Sequence, residues 1–426
     1  MYKYKYIKYK NKYINLKNQN GGNNNLLDLL DLFKNFFKIS GISGLKVFTN
    51  DLRTIILCGD VHEMKRQDNT TSFGKECDDC TLENKCIYIA DLPQYMGRKL
   101  PNEIIDFYVE EYYDPIKKKF GKFVSHGTNI SEQAIKRRER SLTKIPLLYK
   151  ECLEEKICDP PNMRVHATDT RDYRFENLKH LRFYINNIFQ IYKIPEFNTI
   201  EKTLDTLEEA INYKEIDVLI PNITIIKEFF DYILENDVDT IIKKEFARTR
   251  IDKQIEKLNP KDKLIVDAVM KNTYEILSDF YNENVKNEIR TNKFYIFLKN
   301  FKGNNIHDLM IEFYYSVNDF NEFIHETSYF LKDEILYPFF TSFMDAYTVL
   351  RMHKLMDGKV QNNIIAFEGL GHIEIISRIL KMTGLYKQIE NILPSIENII
   401  LEGPSVDLPF GKVENNKDYN KCLEII

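Results

Sequence analysis

Two short apolar runs in the chain each lead into a glycine that is followed, three residues later, by a histidine. Residues 55–58 (IILC) continue into Gly-Asp-Val-His at 59–62, and residues 364–367 (IIAF) continue through Glu368 into Gly-Leu-Gly-His at 369–372. β-Branched runs that stop at a glycine are typical of buried parallel strands that leave their sheet in a sharp turn. Because ligands bind at the carboxyl ends of such strands, the two Gly-x-x-His motifs predict one site at one edge of a sheet.

The periodicity of the whole chain predicts an α/β protein with a mainly parallel central sheet flanked by helices. The predicted strands cover residues 54–58, 104–109, 163–167, 363–367 and 398–401, and the predicted helices beside them cover residues 26–39, 87–95 and 373–382. Long helical periodicity with few strand signals fills the part of the chain between the third and fourth strands. The predicted organisation is a basic low-complexity tail at 1–25, a first part of the α/β domain at 26–175, an all-helical insertion or cap at 176–335, and a second part of the α/β domain at 336–426.

Ionisable side chains follow the predicted strands directly. They are Asp60, His62, Glu110, Glu111, Asp169, Arg171, Glu368 and His372. Two imidazoles and a carboxylate form a ligand set of catalytic zinc and of other divalent-metal sites, so we predict that His62, His372 and Asp60 bind a zinc-, manganese- or cobalt-type cation. Glu110 and Asp169 are the predicted catalytic carboxylates, and Arg171 is a candidate for binding a substrate carboxylate or an oxyanion. The alternative for each residue is a hydrogen-bonded structural role at a strand end.

The paired Gly-x-x-His motifs, the glutamate that closes an intervening strand and the later arginine resemble the Tiki/TraB/ChaN superfamily, which includes erythromycin-esterase-like proteins. In this resemblance His62 and His372 match the two histidines of the family. Glu110 matches its glutamate, and Arg171 with Asp169 matches an Asp-x-Arg pattern. The resemblance implies a metal-dependent active centre of the peptidase or esterase type, acting on a peptide or small-molecule substrate.

The resemblance covers residues 50–175 and 335–405 and does not extend to the predicted helical insertion. The chain departs from the family at Asp60, where several branches have glutamate. Tiki proteins are also membrane-anchored and extracellular, which this sequence does not predict. The Lys/Tyr-rich start and the bias towards Asn, Ile and Lys are similar to proteins of giant DNA viruses of the mimivirus type.

Composition and charge favour an intracellular, soluble protein without a dedicated nucleic-acid surface. The 426 residues carry 60 basic and 64 acidic side chains, and no stretch reaches the roughly 18 to 20 apolar residues of a membrane helix. The start of the chain lacks the apolar core of a signal peptide. Residues 1–25 alternate lysine with tyrosine, which predicts a solvated basic tail or an arm for RNA, anionic lipid or an acidic partner. For a viral protein, the expected location is the host cytoplasm or the virion.

Seven cysteines at irregular spacing argue against a disulfide framework and favour mostly reduced thiols. Cys77, Cys80 and Cys86 lie in one acidic loop, where three thiolates would supply three of the four ligands that structural zinc requires. Three interpretations stay open for this loop: structural zinc, a redox or disulfide pair, and ordinary reduced cysteines.

Two hypotheses of function follow from the sequence. The first is a metal-dependent hydrolase with its site at the carboxyl edge of the sheet. The alternative is a ligand-binding or virion-associated interaction protein that retains the fold without turnover. Asp345 and Arg351 lie on a predicted helix before the second motif, and for them we expect a surface ion pair, with a bracing role behind the site as the alternative.

Overall fold

The protein forms a mixed sheet with a parallel centre and helices on both faces. In the computed structural model the described residues are 29, 32–33, 38–40, 42, 44–60, 64–65, 71–72, 82–83, 86–114, 119–120, 145, 148–170, 219–302, 336–392 and 422–424.

The strands that the structure describes are numbered in chain order. They are β1 (Lys38–Ser40), β2 (Gly44–Thr49), β3 (Thr54–Asp60), β4 (Met64–Lys65), β5 (Thr71–Ser72), β6 (Cys86–Tyr88), β7 (Ile105–Asp114), β8 (Lys119–Phe120), β9 (Met163–Asp169), β10 (Asn363–Gly369), β11 (Lys387–Ile392) and β12 (Cys422–Glu424).

The main sheet has the strand order β11-β2-β3-β10-β7, and β7 pairs further with β9 and, at its end, with β8. Strands β3, β10, β7 and β9 run parallel, and Ile364 pairs with Ile55 on one side and Asp106 on the other. Strands β2, β11 and β8 are antiparallel to their neighbours. Two smaller sheets consist of β12-β1-β6 and β4-β5. The α/β class is confirmed, and the sheet is mixed, with its parallel strands in the centre.

The helices in the described part of the chain are mostly amphipathic. They are α1 (Leu92–Lys99), α2 (Lys150–Glu155), α3 (Leu219–Glu235), α4 (Val238–Arg248), α5 (Ile251–Ile255), α6 (Lys263–Phe280), α7 (Glu283–Thr291), α8 (Lys293–Asn300), α9 (Leu336–His353) and α10 (Leu370–Met382), with a 3₁₀ turn at Pro260–Asp262. Side-chain caps fix several of the starts: Asp237 accepts a hydrogen bond from the Thr240 amide, Asn282 from the Val285 amide and Asn292 from the Tyr295 amide.

The chain divides into two compact units. The first comprises residues 1–169, 251–269 and 345–426, and the second comprises 170–250 and 270–344. In the first unit the fully buried Arg53 guanidinium makes two hydrogen bonds to Asp262, at 3.1 and 2.6 Å, which anchors segment 251–269 beside the sheet. The core of the second unit is aromatic, with the Phe229 and Phe339 rings in edge-to-face contact at 5.0 Å between centroids.

The two faces of the main sheet differ in polarity. Alternation along the paired strands places one set of side chains on a face that joins an apolar core with Leu92 of α1 and Leu153 of α2. That core includes Val47, Ile56, Cys58, Phe107, Val109, Val165, Ala167, Ile365 and Phe367. The opposite face carries a polar series that includes Asp106, Tyr108, Glu110, Arg164, His166, Thr168 and Glu368. Helix α10 and the last part of α9 pack on this polar face. The candidate site residues therefore lie on this side of the sheet.

Several predicted elements change at their boundaries. Strand β3 continues through Gly59 to Asp60, so this glycine lies inside the strand and makes no turn. Residues 87–95 are not one helix, because β6 ends at Tyr88 and α1 starts at Leu92, with a proline in its first turn. Strands β2 and β11 were not predicted. The predicted strand at 398–401 lies outside the described residues.

Candidate metal centre

His372 lies in the first turn of α10, immediately after β10. Gly369 is the N-cap residue of this helix, with extended backbone angles, so the strand passes into the helix within one residue. The His372 side chain is buried, and its Nδ1 lies 2.7 Å from Oδ1 of Asp345, which is fully buried on α9. Two consecutive elements of the chain, α9 and α10, therefore fix the imidazole ring.

The contact with Asp345 determines which nitrogen of His372 faces the site. A carboxylate accepts hydrogen bonds, so Nδ1 donates to Asp345, and in the neutral ring Nε2 carries the lone pair. Nε2 lies 3.7 Å from Oε1 of Glu110. This distance is too long for a hydrogen bond and is close to the separation of about 3.4 Å between two ligand atoms of a tetrahedral ion with bonds near 2.1 Å.

Glu110 is held at the N-terminus of α10. Its Oε2 accepts a hydrogen bond from the Gly369 amide at 2.9 Å, and only 5% of its side chain is exposed. The amide dipoles at a helix start favour a negative charge, which stabilises the ionised carboxylate at this position. Strand β7 and helix α10 thus bring Glu110 and His372 together across 262 positions of sequence.

Glu368 adds a third buried carboxylate. The side chain is fully buried, and neither oxygen has a regular hydrogen-bond partner among the described residues. Burial raises the pKa of Glu368 to about 8; His372 opposes this shift, the Asp345 and Glu110 carboxylates add to it, and the Thr168 hydroxyl opposes it. When no cation is bound, a proton on Glu368 keeps this carboxyl neutral and so reduces the negative charge of the three buried carboxyl groups.

The arrangement can hold a metal ion. Asp345, Glu368 and His372 each offer one ligand atom, and these atoms lie within 4.8 Å of one another. Buried carboxylates are costly unless a cation or hydrogen bonds compensate their charge, and a divalent ion would do so for several at once. The donor set of one imidazole with carboxylates suits zinc, manganese and related divalent ions.

The structure brings only some of the predicted site residues together. His372 and Glu110 lie together, as described above. Asp60 is the last residue of β3 and pairs in register with Gly369, but only its backbone is described. Asp169 is buried at the end of β9, and neither Asp169 nor Glu110 belongs to the group of ligand atoms from Asp345, Glu368 and His372. His62 and Arg171 lie outside the described residues, so their convergence on His372 stays a prediction.

Asp345 and Glu368 were not among the predicted ligands. The expectation of a surface ion pair for Asp345 is wrong, because its carboxylate is fully buried and contacts His372. A signal existed in the sequence: Asp345 is the only charged residue in positions 336–350, and an acid in an apolar helix is rarely buried without a partner. Glu368 gave a similar signal, because it directly follows an apolar strand.

The cysteines are arranged differently from the expectation of mostly reduced thiols. Cys152 and Cys158, six positions apart across the end of α2, form a disulfide with their Cα atoms 4.5 Å apart. Cys86 is buried in β6 and is also disulfide-bonded, a state in which its sulfur is not a thiolate ligand for zinc. Cys77 and Cys80 lie outside the described residues. Cys58 is a free, buried thiol on the apolar face of the sheet.

None of the helices placed in the structure combines the length and the apolar character needed to cross a lipid bilayer. Comparison of the chain with protein-family models, with curated proteins and with solved structures found no match.

Proposed function

We propose that this protein is a metal-dependent hydrolase whose cation is held by His372, Glu368 and Glu110, with Asp345 orienting the imidazole. The observation that carries the proposal is the position of His372: Nδ1 contacts Asp345 at 2.7 Å, and Nε2 faces Glu110 at 3.7 Å. A carboxylate behind a histidine ligand is the usual way in which proteins fix the tautomer and orientation of that ligand. The cation is of the zinc, manganese or cobalt type.

The residues of the chain supply the remaining chemistry. A divalent ion, when bound, supplies Lewis acidity towards water or a carbonyl group. Glu110 has one oxygen fixed by the Gly369 amide and directs the other at the site, where it would bind the ion. The burial of Glu368 and Asp345 excludes bulk water around the reacting groups. His62, Asp60, Asp169 and Arg171 remain candidates for completing the centre.

The substrate class rests on the resemblance to the Tiki/TraB/ChaN superfamily. From it we propose cleavage of an amide or ester bond in a peptide or small molecule, in an intracellular protein of giant-virus type. We also propose that residues 176–335 form an all-helical insertion in the α/β domain. In the described part of that range, residues 219–300 are largely helical, whereas segment 251–269 belongs to the same compact unit as the sheet.

Elemental analysis of the purified, untagged protein tests the proposal. We expect about one divalent ion per chain, lost in His372→Gln and in Glu368→Gln. His353→Gln is the matched control, because His353 is equally buried on α9 but bonds to the Val349 carbonyl and the Tyr386 hydroxyl. The control should retain the metal.

Hydrolysis of a panel of ester and peptide substrates tests the proposed hydrolase activity. Activity should depend on the added ion and should disappear in Glu110→Gln. A wild-type protein that binds no divalent ion and cleaves no member of the panel would overturn the proposal in favour of the ligand-binding or virion-associated alternative.

A further inference from the structure

The disulfide between Cys152 and Cys158 closes the turn that connects helix α2 to strand β9. This turn begins with Lys156, whose φ of 60° lies in the left-handed region that residues other than glycine rarely adopt. Helix α2 has only six residues, and its N-cap residue Tyr149 makes no side-chain capping hydrogen bond. Because an isolated helix of this length is unstable in water, contacts outside α2 hold it in place.

The contacts of α2 bury one sulfur of the disulfide. Cys152 and Leu153 are both buried and belong to the apolar core on one face of the main sheet. The buried Tyr149 hydroxyl donates a hydrogen bond to the Ala90 carbonyl at 2.6 Å. Cys152 is only 4% exposed, so the core covers this side chain once α2 has packed.

The other end of the disulfide leads into a well-anchored segment. Four residues after Cys158, the side-chain nitrogen of Asn162 lies 2.9, 2.8 and 2.7 Å from the backbone carbonyls of Gly97, Leu100 and Glu103. The Asn162 carbonyl accepts a hydrogen bond from the Ile105 amide at 3.0 Å, where β7 and β9 begin to pair. The disulfide therefore ties α2 to the point where α1 ends and two central strands begin.

Neither sulfur of this disulfide is well placed for reduction in the folded protein. Thiol–disulfide exchange requires an accessible sulfur to attack and a leaving sulfur that is stable as a thiolate. Cys158 is half-buried, and attack there would release the Cys152 thiolate into the apolar core, where a charge is poorly solvated. Attack on Cys152 itself is blocked by its burial. The same burial keeps an oxidant away from the Cys152 thiol after α2 has packed.

The other cysteines in the described part of the chain agree with this pattern. Cys86 is buried and disulfide-bonded, whereas Cys58 is fully buried and free. Burial raises the pKa of the Cys58 thiol, so this group stays neutral and unreactive at physiological pH. A cytosol rich in reduced glutathione keeps cysteines as thiols and does not produce disulfides of this kind by itself.

We propose that the chain is the substrate of a disulfide donor that oxidises Cys152 and Cys158 before α2 packs on the core. One thiolate attacks the donor disulfide and displaces the first donor thiol, and the other thiolate then displaces the second as the Cys152–Cys158 bond forms. Two electrons and two protons pass to the donor, which leaves as two thiols. Packing of α2 then covers Cys152 and protects the bond.

This inference goes beyond the proposed hydrolase function and does not depend on it. For an intracellular protein, the donor is a dedicated disulfide-exchange protein, because the cytosol itself keeps thiols reduced.

Trypsin gives a direct readout of the bond, because it cleaves after Lys150, Lys156 and Arg164. An intact disulfide holds peptides 151–156 and 157–164 together as a linked pair, which mass spectrometry detects and which reduction separates. Denatured, reduced protein that refolds with a mixture of reduced and oxidised glutathione should give the linked pair. Protein from a reducing bacterial cytosol, alkylated in urea at lysis, should contain both cysteines as thiols.

The protection of the bond is measured on the oxidised protein. In reduced glutathione the native protein should lose the linked pair at least about tenfold more slowly than the urea-unfolded protein, because reduction waits for α2 to open. Cys158→Ser should lack the linked pair and unfold at a lower urea concentration than the oxidised wild type. Cys58→Ser is the matched control, because its thiol is buried outside this bond, and it should keep the linked pair.

Three results would overturn the proposal. The first is refolding with the glutathione mixture that leaves residues 152 and 158 as thiols. The second is a linked pair already present in protein from the reducing cytosol without a donor. The third is equal loss of the linked pair in native and urea-unfolded protein. Circular dichroism checks the fold of each sample.

Discussion

A Cβ atom added to Gly59 would lie 2.6 Å from Cδ1 of Ile373. The first motif glycine therefore provides space for α10, the helix that carries His372, to pack directly on strand β3. Leu370 packs against the same position, with its Cδ1 at 2.9 Å from the added Cβ. The two Gly-x-x-His motifs are thus in contact through packing, whatever their histidines do.

Gly59→Ala should destabilise the protein by about 1–3 kcal/mol, because the methyl group displaces Ile373 and with it the start of α10. Metal affinity should fall together with stability. Gly371→Ala is the control: no described atom lies within 4 Å of its added Cβ, and alanine favours a helix, so stability should be unchanged or higher by up to about 1 kcal/mol. Urea unfolding measures the stability of both variants, and equal losses of stability would contradict the packing role of Gly59.

Asp345→Asn should lower the affinity for divalent ions by about 10- to 100-fold, because the amide oxygen still accepts from His372 Nδ1 while the charge is lost. Asp345→Ala should lower it further, because the ring also loses its orientation. Thr348→Val is the control on the same helix, where removal of a fully buried hydroxyl leaves the site intact. Competition against a chromogenic chelator gives the affinities. The positioning role of Asp345 is excluded if Asp345→Ala and Thr348→Val bind metal equally.

Asp262→Ala should cost about 3–5 kcal/mol, because it leaves the Arg53 guanidinium buried without its carboxylate. Asp159→Ala removes the partner of Arg98 from an exposed pair at 3.3 Å and should cost less than about 0.5 kcal/mol. Chemical denaturation of the two variants gives the comparison. Similar costs would show that segment 251–269 does not depend on this contact.

The stability of the protein should fall as the pH falls below about 6.5, the ordinary pKa of histidine. Burial, followed by the nearby Arg53, lowers the pKa of His353 to about 3 in the folded state. Between pH 6.5 and 3 the unfolded chain binds a proton that the folded chain rejects, which costs at most about 1.4 kcal/mol per pH unit. His353→Gln should reduce this slope, as measured by urea unfolding at pH 5 and pH 7. An identical slope in the variant would contradict a neutral, buried His353.

The sequence predicts the parallel centre of the sheet well, because β3 and β10 contain the apolar runs that a covered sheet needs and β7 and β9 alternate apolar with polar residues. The antiparallel neighbours β2 and β11 are harder to predict. Strand β2 has a lysine in its middle, and Lys46 is buried because it pairs at 2.5 Å with Glu374, which is 328 positions away. Such a partner is visible only once the chain has folded.

The alternation of polar and apolar residues in β7 and β9 predicts more about the sheet than their apolar residues alone. Asp106 and Tyr108 in β7, and Arg164 and His166 in β9, alternate with apolar residues, which already indicates one polar face. The alternation does not predict which helices pack on which face of the sheet. Asp345 and His372 meet because α9 and α10 pack on the polar side, a tertiary event without a local pattern.

The hydrogen bond from the Gly369 amide to Glu110 also bears on coordination chemistry. It engages Oε2, so Glu110 presents Oε1 to the centre and would act as a monodentate ligand. Together with a single nitrogen from His372, this would leave positions open to solvent or substrate if an ion that prefers four to six ligands were bound.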